Sequence, residues 1–139
     1  PETLAGASEQ TPKKYERSTL TPERAEEYLK RLLKVMETEK PWADGDLTLQ
    51  KLAERIAVPA PHLSQIINER IGQNFSDFVN GYRVEDDKRK LGDPAYKHYS
   101  ILAIAEEVGF NSKSSFNAAF KKHAQMAPSE FRDASGNNN

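Results

Sequence analysis

The chain has 139 residues, 20 Lys plus Arg against 21 Asp plus Glu, a formal net charge of -1 and a mean hydropathy of -0.79. That length holds one domain with a real core; no apolar run approaches the ~20 residues of a membrane span, and no secretory apolar segment is visible. Cysteine is absent, which excludes disulfides and thiolate metal sites.

Charge of both signs is spread evenly, so any basic footprint has to be local. The chain starts at Pro1 rather than Met, and a fragment of a longer protein is expected. Residues 1–19 mix Pro, Gly, Ser and charge without apolar periodicity and are expected to be a flexible linker or tail. The polar residues 134–139 are expected to be a disordered tail, which leaves 20–133 as the folded domain.

Thr21-Pro22-Glu23 opens the first predicted helix, with Thr21 as N-cap and Pro22 at the first helical position. It runs to about Glu39 and stops before Pro41. Ala25, Tyr28, Leu29, Leu32, Leu33 and Met36 form its apolar face, and Glu26–Lys30 and Glu27–Arg31 are favourable pairs at spacing four. A support helix packed on the domain is the plain reading. A dimerising or signal-relaying stalk is the alternative.

After a loop with Pro41 and Gly45, Thr48 to Ile56 is predicted helical, with Leu49, Leu52, Ala53 and Ile56 facing in. Val58-Pro59 makes a turn. Ala60 to Arg70 is the next helix, with Leu63, Ile66 and Ile67 buried and Ala60, Pro61, Ser64, Gln65 and Asn68 outward. The Gln65 amide suits bidentate pairing with adenine, and Ser64 suits a base or a phosphate. His62 lies beside the apolar stripe, where packing or a phosphate contact is expected.

Ser76 is expected to cap a helix reaching about Leu91, with Phe78, Val79, Tyr82, Val84 and Leu91 on its apolar side. Asp86 and Asp87, flanked by Lys88, Arg89 and Lys90, read as a solvated face. Gly92-Asp93-Pro94 ends that helix, and Ala95 to Tyr99 is a loop.

From Ile101 the pattern becomes helix, tight turn, helix and a short capping helix. Ile101, Ile104, Ala105 and Val108 share one face, and Gly109 stops the helix. Ser112 is expected to cap the next helix, with Ser114 and Ser115 in its first turn. Phe116, Ala119 and Phe120 form its apolar stripe; Lys113, Ser114, Asn117, Lys121 and Lys122 form its outer face. No Asp or Glu occurs from Phe110 to Ser129. A small-polar, basic helix face entered from a Gly turn suits the DNA major groove. Lys113 can reach guanine or phosphate, Asn117 can read adenine, and Lys121 and Lys122 suit phosphates.

Competing chemistries find little support. His62, His98 and His123 are not at metal-ligand spacing, and no cofactor is expected. Gly-rich phosphate loops and nucleophile motifs are absent, so an enzyme is not expected. The one internal duplication is LxxLAERI at 49–56 against ILAIAEEV at 101–108, each carrying Ala-Glu before a branched apolar residue.

Ile104, Ala105, Gly109, Phe110, Ser112, Ser114, Phe116, Phe120, Lys121, Lys122, Pro128, Phe131 and Arg132 fall in one register. So do Gly72, Phe75, Phe78, Val79 and Arg83 after the first helix-turn-helix. Together they resemble the C-terminal DNA-binding domain of AraC/XylS transcription regulators, over about Leu20 to Arg132. The resemblance implies an all-α fold of about seven helices: a first helix-turn-helix unit at about 47–75, a linker helix at about 76–91 and a second unit at about 100–132. It implies a sequence-specific DNA-binding domain of a bacterial regulator that inserts two recognition helices into successive major grooves. Base readers would be Ser64, Gln65, Asn68, Lys113, Ser114, Ser115 and Asn117; phosphate contacts would be His62, Lys121 and Lys122. Implied partners are double-stranded DNA, RNA polymerase and a sensor domain in the full-length protein, with homodimerisation as a further option. The implied location is the cytoplasm, and the 13–42 segment is similar to the stalk of membrane-anchored members.

Three departures from the family pattern stand out. Gln125 replaces a Gly and Ala127 a Thr, which is expected to loosen the chain around 124–127. Pro59 replaces the common Ser cap. The rival reading is a helical protein-interaction module whose degenerate helix-turn-helix no longer binds DNA; the even charge and Pro61 favour it.

Overall fold

The computed structural model describes residues 19–136; of the tails expected at 1–19 and 134–139, residues 1–18 and 137–139 lie outside the described residues, while Ala134 is the last residue of a helix rather than part of a tail. Among the described residues the chain forms seven α-helices and no strand. It divides into two compact units. One holds the chain up to Glu39 together with Thr48–Phe75, and the other holds Lys40–Leu47 and the chain from Ser76 on.

The first unit is built from α1 (Pro22–Thr38), α2 (Leu49–Ile56) and α3 (Ala60–Ile66). Thr21 caps α1 as expected, and Thr48, expected inside the helix, instead caps α2: their hydroxyls accept from Arg24 N and Lys51 N, each at 3.1 Å. Leu32, Met36, Leu52, Leu63, Ile66 and Ile67 are fully buried between the three helices, each stabilising by about 1.5–3 kcal/mol. The α2–α3 turn passes through Ala57, a left-handed residue at φ 58°, ψ 47°. Helix α1 braces this turn: the Arg31 guanidinium donates to Ile56 O at 2.8 Å and Ala57 O at 3.2 Å, two carbonyls at a helix end that need partners.

Three expectations change here. Leu33 is 38% exposed, one position round from the buried Leu32. Glu27 pairs with Arg31 at 2.9 Å, but Glu26 reaches across to Arg70. The helix from Ala60 is α-helical only to Ile66; Ile67–Ile71 continue as a π turn, closed by Gly72 at φ 80°.

The second unit contains α4 (Phe75–Leu91, entered from the first unit), α5 (Ile101–Glu107), α6 (Lys113–Ala124) and α7 (Pro128–Ala134). Two short 3-10 turns, Pro41–Ala43 and Pro94–Tyr96, complete it. Aromatic rings run through its core, with centroids 5.3 Å apart for Phe110–Phe116, 5.9 Å for Phe116–Phe120 and 5.9 Å for Phe120–Phe131. Arg83 ties α4 to the 40–47 loop, with Nε donating to Trp42 O at 2.6 Å and a terminal nitrogen to Asp44 O at 3.0 Å. Gly109 must be glycine: at φ 115°, a Cβ there would sit 2.4 Å from Trp42 O and 2.7 Å from Arg83 Nε.

Ser76 is not a cap; the helix starts at Phe75 and Ser76 is its second residue. Asp87 is not on a solvated face either. It is 0% exposed, because spacings of three and four put it on the same side of α4 as Val84 and Leu91. Neither of its carboxylate oxygens has a hydrogen-bond partner. Burial, reinforced by the neighbouring Asp86, pushes its carboxyl up to about 7, against the opposing pull of Lys90 and Arg132. Asp86 does reach solvent-side cations, Arg89 and Lys90, each at 2.9 Å.

Candidate nucleic-acid interface

Each unit offers one helix with a polar outer face. In the first unit this is α3. It begins at Pro59, which supplies no side-chain cap. Pro61 and Asn68 are exposed, while Ala60, Ser64 and Gln65 are half-buried. Asn68 donates weakly to Ser64 Oγ at 3.5 Å, and Gln65 donates to Glu69 Oε1 at 3.2 Å. Gln65 also lines an open pocket with Thr21, the cap of α1, and Pro22 and Ala25 of that helix. His62 is buried at 8% exposure, 6.0 Å from the Tyr28 ring, and burial together with Arg24 lowers its pKa. That placement makes it a packing residue and leaves little of it for a phosphate.

In the second unit the helix is α6. Ser112 caps it, its hydroxyl accepting from Ser115 N at 3.1 Å. Phe116 and Phe120 are fully buried beneath it, and Ala119 nearly so. Lys113, Ser114, Asn117, Lys121 and Lys122 are all exposed, as the helical register requires. Ser115 is exposed too, but its hydroxyl is hydrogen-bonded to Ser112, so it belongs to the cap. Lys122 pairs with Asp77 at 2.7 Å.

Two acids were absent from the sequence-level picture of these faces. Glu69, one helical turn beyond Gln65, was legible from spacing alone. Asp77 reaches Lys122 across 45 residues of chain, and no local pattern announces it. Among the described residues no cluster of His, Cys, Asp or Glu could hold a metal ion, and no helix is long and apolar enough to cross a membrane.

A helix-turn-helix domain family model matches residues 52–134, more than half of the chain, from within α2 through α7. The chain belongs to the AraC-type helix-turn-helix family. This AraC-type domain is a DNA-binding domain of the transcription-regulator class. It is 34% identical over 85 residues to the transcriptional regulatory protein HptR of Staphylococcus aureus (strain bovine RF122 / ET3-1), covering 61% of this chain and 32% of HptR. It is also 34% identical over 87 residues to the uncharacterized HTH-type transcriptional regulator SAS0078 of S. aureus strain MSSA476, covering 63% and 11%. The chain thus spans a third or less of the length of these curated relatives. Among solved structures it resembles the C-terminal domain of AraT, a response regulator from Geobacillus stearothermophilus, with TM-score 0.60, 29% identity and 84% and 88% of the two chains covered. The C-terminal domain of the response regulator yesN from Fusobacterium nucleatum gives TM-score 0.64, 26% identity and 76% and 98% coverage. A Chromobacterium violaceum regulator with TM-score 0.66 is only 20% identical, covers 80% and 94%, and speaks for the fold alone.

Proposed function

We propose that this domain reads an asymmetric DNA site by placing α3 and α6 in successive major-groove turns on one face of the duplex. The observation that carries the reading is the outer face of α6: Lys113, Ser114, Asn117 and Lys121 stand exposed over the buried Phe116 and Phe120. In this reading Asn117 pairs with adenine, Lys113 contacts guanine or phosphate, and Lys121 and Lys122 neutralise phosphates. Ser114 completes the α6 reading face. On α3, Asn68 and Ser64 contact bases, joined by Gln65 once its amide turns from Glu69 to the groove.

The domain acts by occupying a promoter, without catalysis, in the cytoplasm where the DNA is. A sensor domain elsewhere in the whole protein belongs to this reading, and the curated relatives are longer than this chain, which spans a third or less of them. Contact with RNA polymerase and self-association of the whole protein complete the proposal.

The test is selection of bound fragments from random or genomic DNA, followed by titration at several salt concentrations. Neutralising about three to six phosphates should give a log K against log salt slope of roughly -3 to -5. No binding at low salt, or binding that ignores salt, would favour a protein-interaction module instead. Even charge and the donorless Pro61 on α3 are what that second reading has in its favour.

A further inference from the structure

The stretch around α6 is free of acids in sequence but not in space. Asp77 Oδ2 sits 2.7 Å from Lys122 Nζ, joining the first turn of α4 to the last turn of α6. The lysine side chain is 62% exposed and the aspartate 27%, so the pair opens to solvent on the lysine side. The positive end of α4 favours a charged Asp77. A carboxylate oxygen accepting from an ammonium at this distance is the same contact that a DNA phosphate would make.

We propose that Asp77 is a built-in competitor of the DNA backbone. It holds Lys122 in a phosphate-like contact and so tempers the affinity of the domain for duplex DNA of any sequence. The inference rests on the reading of α6 as a recognition helix. Phosphate has to displace Asp77 or share Lys122 with it, and Asp77 itself repels the incoming backbone. The domain thereby binds nonspecific DNA less tightly than its lysines alone would allow.

A purely structural role for the pair predicts the opposite. If Asp77 only braced α6, removing it would loosen the helix and weaken DNA binding. The two roles therefore differ in sign.

The experiment measures binding of the full chain to a random-sequence duplex by fluorescence anisotropy across a salt series. Asp77→Asn should bind about 3–10-fold tighter, with a salt slope steeper by about 0.9, one more phosphate contact. Asp77→Glu keeps the carboxylate and should stay within about two-fold of wild type. Lys122→Ala should weaken binding in the wild-type background and weaken it by more in the Asp77→Asn background, where it reverses most of the gain, a coupling that a double-mutant cycle reads directly. Asp133→Asn, the same charge change on an exposed residue of α7, should shift affinity less than about two-fold. Asp77→Asn binding no tighter than wild type, or Asp133→Asn matching it, overturns the proposal. A wild-type chain that binds no duplex sinks both this inference and the reading beneath it.

Discussion

The pairs α2–α3 and α5–α6 share a plan, a short first helix, a turn and a second helix, but differ in what they present. Helix α6 runs for 12 residues from a Ser cap and exposes Lys113, Asn117 and Lys121. Helix α3 runs for 7 residues from an uncapped Pro59, passes into a π turn, and exposes Pro61 and Asn68 with no cation among its outward positions. Its one long amide on that face, Gln65, is held by an acid. With a net charge of -1 the domain cannot rely on a general positive field. On the proposed reading, this difference would give anchoring through phosphates to α6 and discrimination with little anchoring to α3.

The units also bury opposite kinds of titratable group, and this gives the largest expected effect. Asp87 titrates at about 7 in the folded second unit, against its ordinary 3.8. The folded state therefore holds that proton more tightly than the unfolded chain does. Stability from this group is full below about pH 4 and is lost as pH rises toward 7. Asp87→Asn should stabilise by ~2–4 kcal/mol at pH 8 and by little at pH 4, measured by urea unfolding at both. Equal effects at the two pH values would contradict the buried, proton-binding carboxyl. His62 in the first unit runs the other way. Its pKa is lowered by burial and by Arg24, so its contribution is lost as pH falls below the ordinary 6.5.

The anchoring contrast is sharpened by removing charge from α6 alone. Lys113→Ala with Lys121→Ala should weaken binding to all sequences about 10–100-fold and make the salt slope shallower by about 2. Asn117→Ala and Asn68→Ala should each lose about 1–3 kcal/mol on the best site only, relaxing preference at one position and leaving the slope alone. Competition titrations with specific and random duplexes separate the two classes. If all variants weaken all sequences by one factor, the base-reading assignment is wrong.

Smaller effects come from the helix ends. Gln125 is left-handed at φ 63°, and Ala127 gives no side-chain cap to α7, though Glu130 accepts from its N–H at 2.8 Å. Gln125→Gly and Ala127→Thr should each stabilise the second unit by ~1 kcal/mol. Between the units, Ser112→Ala should destabilise by ~1 kcal/mol, while Pro59→Ser should add up to about that much to the first. Thermal melts that show Pro59→Ser unchanged would mean that α3 starts well enough without a cap.

Much of this fold was legible because its signals are local. Thr21 and Ser112 cap where they should, and the stripes at Leu52–Ile56 and Phe116–Phe120 are buried as their spacing demands. Ser76 misled because a start signal one residue inside a helix looks the same as a true cap. Asp87 misled because residue type outweighed register: 84, 87 and 91 share a face whatever they carry. No residue in 67–71 announces the π turn. The faces of α3 and α6 were legible as chemistry. The pairing of Asp77 with Lys122 on α6 was not, since that contact depends on tertiary packing.

The most direct test of the two-unit account is a hydroxyl-radical footprint on the best selected site. Wild type should protect two patches on one face of the duplex, about one helical turn (~34 Å) apart. In the Lys113→Ala, Lys121→Ala variant both patches should fade together, because α3 has little hold of its own. In an Asn68→Ala, Ser64→Ala variant one patch should weaken while the other persists. A single patch in wild type, or an α3 patch that survives loss of the α6 lysines at undiminished strength, would contradict the account.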